Sequence, residues 1–183
     1  MSPRPLHLFR SFGLLILGSA AALAQTGAGS MAATQPSHVD TSFAKEAALG
    51  GMSEVELGQL AVQKASDPRV RQFGQHMIDD HSKANDALKA AAAQEGITLL
   101  PTSTDKKHEA TRDKLEKLSG TQFDEAYTKE MVRDHKEDVA AFEKEAKAGN
   151  SPVQKFASDT LPTLQNHLQM IESISGSASP TAH

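Results

Sequence analysis

Met77-Ile78-Asp79-Asp80-His81 returns later in the chain as Met131-Val132-Arg133-Asp134-His135. Both copies read Met-(Ile/Val)-x-Asp-His, inside long segments whose apolar residues recur at helical spacing. Met and His are four residues apart in each, so the two side chains share one helix face. Extending the first copy gives the stripe Val70, Gly74, Met77, His81, Ala84, Leu88 and Ala91, in steps of four and three. Extending the second gives Phe123, Tyr127, Met131, His135, Asp138, Val139, Phe142 and Ala146. The histidines therefore occupy core positions of two amphipathic helices, expected over 68–95 and 121–148.

Two more helices flank them. The first is expected from about Asp40 to Ser66, capped by Asp40 or Thr41, with Ala47, Gly51, Glu54, Gly58, Ala61 and Ala65 inward. Small residues on that stripe invite a close neighbour, and Gly50-Gly51 in a helix interior implies a packing or kinking reason. Glu54 is the anomaly, an acid in the middle of a face that should be buried. The last helix carries Val153, Phe156, Ala157, Leu161, Leu164, His167, Leu168 and Ile171 inward as far as about Ser175, with Pro162 on its outer face as an expected kink. Asp67-Pro68 and Ser151-Pro152 each combine a cap with proline at the first helical position. Thr121-x-x-Asp124 reads as a capping box, and Gly96 as a helix end.

Composition agrees with an all-helical chain. Hydrophobic residues make up 38% of it, with no Trp and one Tyr, so the core is slim and built from Ala, Leu, Val and Phe. No alternating run suggests a strand. Arg4 and Arg10, the apolar run from Phe12 to Leu23 and Ala22-Leu23-Ala24 read as a signal peptide over 1–24, cut before Gln25. That run is too short for a membrane span. Residues 25–39 read as a disordered linker, 40–175 as the bundle domain and 176–183 as a disordered tail. The expected location is a bacterial periplasm. With no cysteine, disulfides, thiolate metal sites and covalent haem attachment are excluded. Losing Arg4 and Arg10 with the leader makes the mature chain more acidic than the −4 of the full sequence, so neither nucleic acid nor an anionic membrane surface is an expected partner. Homo-oligomers and protein partners stay open.

Topology follows from link lengths. Short links make helices one and two, and helices three and four, antiparallel hairpins. Residues 97–119 form a connector, with a weaker helix over 104–118 that uses Thr111, Leu115 and Leu118 and lies outside the bundle. It can span about 40 Å or more, enough for the second and third long helices to run parallel. That is a ferritin-like four-helix bundle with one long crossover carrying a short extra helix. Counted from the helix ends, Glu54, His81, His135 and His167 then fall within about one turn of the same level, with Asp138 a turn away.

Such a cluster has two readings. Glu54, His81, His135, Asp138 and His167, with Met77 and Met131 beside them, could hold a copper, iron or zinc ion, imidazole plus thioether suiting copper. A buried hydrogen-bond network is the commoner outcome for such residues, with methionine as core filler. Di-iron bundles place Glu three residues before His, and here those positions are Ile78, Val132 and Leu164, against oxygen-activating chemistry. No Ser/His/Asp nucleophile or phosphate loop stands out, so no reaction is assigned and the reading leans away from an enzyme. His76 and His108 read as surface residues. Asp79, Asp80 and Asp134 flank the stripes, where Asp80 or Asp134 could orient an imidazole.

Gly50-Gly51-Met52-Ser53-Glu54-Val55-Glu56-Leu57-Gly58, Met77 to His81, Phe123-Asp124 to His135 and Leu161-Pro162-x-Leu164-x-x-His167-Leu168 together resemble domain-of-unknown-function family 4142 over about residues 40–174. The resemblance implies an exported, ferritin-like bundle of bacterial envelopes with no established activity. The polar cluster, not the resemblance, leaves two roles open: metal storage, buffering or stress, or a non-enzymatic envelope interaction in which the cluster is purely structural.

Overall fold

Five helices and no strand make up the described residues, 38–99 and 106–177, of the computed structural model. They are α1 (His38–Lys64), α2 (Pro68–Gln94), α3 (Lys106–Glu116), α4 (Gly120–Ala146) and α5 (Pro152–Ser177). The expected leader, most of the linker and the last residues of the tail lie outside the described residues; α5 takes in Gly176 and Ser177.

Local signals set most boundaries. Asp67 caps α2 by accepting from the Arg69 N–H at 2.8 Å, with Pro68 in the first helical position. Gly96 ends α2 with φ 69°, its N–H reaching the Ala93 carbonyl while the Ile97 N–H reaches Ala92. That pairing is a Schellman motif, and the left-handed conformation is why glycine stands there. The reciprocal capping box forms at α5: Ser151 N–H donates to Gln154 Oε1 at 2.9 Å, and Gln154 N–H to Ser151 Oγ at 3.3 Å. α5 stays helical through Pro162, which is exposed.

Two expected caps are corrected. Thr121-x-x-Asp124 forms no capping box, because α4 starts at Gly120 and Asp124 reaches across to the α1–α2 turn. There it accepts from Ser66 N–H at 3.1 Å, Asp67 N–H at 2.9 Å and the Ser66 hydroxyl. Asp40 is not the cap of α1, since the helix already runs from His38; its buried carboxylate accepts from Gln154 Nε2 at 3.2 Å. In both cases a tertiary contact outcompetes the local one.

Those contacts fix the topology. Asp124 ties the start of α4 to the start of α2. At the other end, Glu95 ties the end of α2 to the start of α5, accepting from Val153 N–H at 2.6 Å and Ser151 Oγ at 2.9 Å. α2 and α4 therefore run parallel, and each hairpin packs antiparallel within itself. α2 lies against α5 and α1 against α4, closing a four-helix bundle with one long crossover, while α3 packs outside on α1 and α4 through Leu115.

α1 and α2 approach closely at Gly58 and Gly74. A Cβ on Gly74 would stand 2.7 Å from the Ala61 Cβ, and one on Gly58 would stand 2.6 Å from the Gly74 carbonyl oxygen. Gly58→Ala or Gly74→Ala should therefore destabilise by about 1–3 kcal/mol through overpacking, despite the helix preference of alanine. Gly50→Ala meets open space and should stabilise by about 0.5–1 kcal/mol. Thermal melts of the three variants check the contrast, and equal shifts would refute it.

The core has two apolar halves. One holds Leu57, Phe73, Met77, Tyr127, Met131 and Ile171; the other holds Leu88, Phe142, Val153, Phe156 and Leu164. Between them, on all four long helices, lies a polar layer.

Candidate metal centre

Glu54, His81, His135 and His167 make up that layer, one from each long helix, and each is at most 5% exposed. Ring centroids stand 5.9 Å apart for His81–His135, 5.5 Å for His81–His167 and 5.6 Å for His135–His167. One nitrogen from each ring lies within 4.8 Å of its counterparts on the other two. Phe73 meets His135 and His167 edge-on from the apolar half.

Each imidazole is anchored through one nitrogen. His135 Nδ1 lies 3.1 Å from the Met131 carbonyl, which can only accept, so the proton is on Nδ1. His167 Nε2 donates to Asp80 Oδ2 at 3.0 Å. Burial pushes the Asp80 carboxyl up, but bonds from His167 and Lys83 outweigh it and hold it low, so it accepts as a carboxylate. His81 Nδ1 lies 2.9 Å from Glu54 Oε2 and donates to it when Glu54 is ionised. The opposite nitrogens, Nε2 of His81, Nε2 of His135 and Nδ1 of His167, are buried with no hydrogen-bond partner. So is Glu54 Oε1, 3.6 Å from His135 Nε2.

Electrostatics keeps the rings neutral. Burial, then the neighbouring His81 and His167, pushes His135 down to about 3. Burial lowers His167 to about 4 against the opposing bond from Asp80, and it lowers His81 as well. Glu54 is pushed well up by burial and then by Asp134; Asp138 is raised by burial, then by Glu54 and Asp134. Three buried imidazoles, one nitrogen of each within 4.8 Å of the other two, form a donor set suited to a first-row transition ion.

The other expected site residues fall into three places. Asp138 lies with Glu54 and Asp134, one carboxylate oxygen of each within 4.8 Å of the others, on the α1–α4 side of the layer. Met77 and Met131 are fully buried in the apolar half that also holds Phe73. Asp80 takes the anchoring position that its place beside the stripe allowed. His108 is corrected: it is half-buried, not a surface residue, because α3 folds it over α4, where it lines a cleft with Asp134 and Asp138. His108 stands three residues before Thr111 on the stripe that continues through Leu115 and Leu118, the periodic signal that could have placed it on the packed face.

Among the described residues no helix is long and apolar enough to cross a membrane. No curated protein matches the chain. Solved structures share its fold, two of them described as DUF305 proteins. One is a DUF305 fragment from Deinococcus radiodurans, at 14% identity and TM-score 0.67, covering 77% of this chain and 97% of that one. Another is a DUF305 protein of Streptomyces coelicolor whose description presumes secretion, at 14% identity and TM-score 0.64, covering 79% of this chain and 97% of that one. The family described as Domain of unknown function (DUF4142) matches residues 25–174, and the chain belongs to that family.

Proposed function

We propose that this is an exported periplasmic protein, released from its leader before Gln25, that holds a copper, iron or zinc ion in the bundle core for storage, buffering or stress protection. His81, His135 and His167 supply the nitrogens and Glu54 the oxygen. One observation carries the reading: three buried imidazoles each bring a nitrogen within 4.8 Å of the other two, and each ring keeps one buried nitrogen without a partner, as does Glu54 Oε1, 3.6 Å from His135 Nε2. A network built only for structure would pair those atoms, since each orphan costs about 1–3 kcal/mol. A cation bound between the rings satisfies imidazole nitrogens that no protein group pairs, with the Glu54 carboxylate beside them. Met77 and Met131, one turn before His81 and His135, bring two thioethers to the same helix faces, which favours copper among the candidates.

Untagged protein should carry one ion per chain by elemental analysis after exposure to copper, iron or zinc. At metal concentrations about 100-fold above Kd, the stabilisation is about 2.7 kcal/mol. In a chain of this size that raises Tm by about 5–10 °C. Substoichiometric metal together with an unchanged Tm for all three ions would leave the cluster purely structural, in a non-enzymatic envelope protein.

A further inference from the structure

We propose that a divalent cation reaches the imidazole layer through the cleft between α1, α3 and α4, passing a neck formed by Gly50 and Asp138. This deepens the metal reading of that layer and rests on it. The cleft measures about 360 Å³. A second space of about 20 Å³, room for one water-sized species, lies further in and is lined by Glu54 and His81 of the layer. Ala47, Gly50, Asp138 and Phe142 line both spaces, so the two meet at that wall. Asp138, alone among the ionisable side chains of the inner space, lines the cleft as well.

Gly50 marks the neck. It lies well inside α1, where glycine weakens a helix relative to alanine. Positive φ among the described glycines is confined to Gly96 and Gly120, so the backbone at Gly50 suits other residues. Nothing stands within 4 Å of where its Cβ would be, whereas a Cβ on Gly51 would collide with the Asn85 amide. The glycine pair therefore divides its work: Gly51 admits Asn85, and Gly50 leaves open space where the cleft meets the inner cavity.

Charge selects this approach over the one on the far side. The cleft between α2 and α5 also touches the inner space, through the uncharged Ala84, Phe156 and Thr160. Its own charges cancel, Lys83 pairing with Asp80 at 3.5 Å and Lys155 with Asp159 at 2.9 Å. Asp80 also closes the layer there by holding His167 Nε2 at 3.0 Å. On the α1, α3 and α4 side, Glu46, Asp134, Glu137 and Asp138 outnumber Lys107 and the adjacent Arg133. A cleft in which one sign of charge prevails concentrates the opposite ion and speeds its entry.

The test follows Zn(II) uptake by the untagged full-length chain in stopped flow with a chromophoric chelator, and Zn(II) release to excess chelator. Gly50→Leu, which fills the neck, should slow uptake and release alike by about tenfold or more and leave Kd within about twofold, as for an obstructed passage rather than a lost ligand. Gly50→Ala, one methyl in open space, should load at the wild-type rate. Glu46→Lys with Glu137→Lys, both exposed, should slow uptake about tenfold at low ionic strength, an effect that fades with added salt. That surface pair reports independently of how Gly50→Leu folds. Thr163→Leu, in the cleft between α2 and α5, should change neither rate. Wild-type uptake rates in Gly50→Leu or in the double-Lys variant, or equal slowing by Thr163→Leu, would overturn the port and leave the imidazole site standing. Failure of wild type to take up Zn(II) at all would overturn the site and the port together.

Discussion

His135→Leu yields a metal-free protein more stable than wild type by about 1–3 kcal/mol, and one that no longer responds to metal. His135 is 0% exposed, and its Nε2 has no partner between two apolar half-cores. Replacing an orphaned polar group with an apolar side chain of similar size removes its desolvation penalty. The lost bond from Nδ1 to the Met131 carbonyl offsets part of that gain. Sites kept for binding commonly trade stability in this way. Chemical denaturation of metal-free wild type and variant reads the difference, and titration with zinc or copper reads the lost response. If the cluster were a satisfied structural network, the same change would destabilise the protein, so the sign alone decides between the readings.

Acidity should separate His135→Leu from Glu54→Gln by opposite slopes. In wild type, His135 takes a proton only near pH 3, whereas the unfolded chain takes one near its ordinary value of about 6.5. Below about pH 6.5 the unfolded state therefore binds more protons at this position, and wild type loses stability as pH falls. The leucine variant escapes that loss, so its advantage widens by about 1.4 kcal/mol per pH unit, reaching about 3 kcal/mol more by pH 4. Glu54 works the other way. Its folded carboxyl is pushed well above the ordinary range by burial, then by Asp134, so the folded state holds the extra proton and wild type loses stability as pH rises. Glu54→Gln removes that dependence and gains on wild type with rising pH. Denaturation midpoints from pH 4 to 8 measure both slopes. Parallel slopes for the two variants would contradict this electrostatic account of the layer.

Much of the layer was legible in the sequence because helical periodicity is a strong local signal. His81 and His135 sit on unbroken apolar stripes, and Glu54 and His167 interrupt theirs at matching distances from the helix ends. The Asp67-Pro68 start and the Gly96 stop were legible for the same reason: caps and positive-φ glycines act within a few residues. Asp124 misled because its local environment resembles a capping box, while its partners, Ser66 and Asp67, lie far away in sequence. The role of Gln154 in the box at α5 went unread because Ser151-Pro152 already accounted for that start. His108 of α3 and Asp134 of α4 share the cleft only because the crossover folds α3 over α4, which periodicity within either helix does not encode.

By itself the sequence determined that the chain is all-α, that each of four long helices carries a Glu or His at mid-height of its inward face, and that the connector is long enough for α2 and α4 to run parallel. Spacing suffices for those statements, because a helix converts residue number into height and face. Only the tertiary structure decided which nitrogen of each imidazole is anchored and which is bare, since that depends on Met131, Asp80 and Glu54 standing behind the rings. It also decided that Asp138 belongs with Asp134 on the cleft side of Glu54, a pairing set by how α1, α3 and α4 pack against one another.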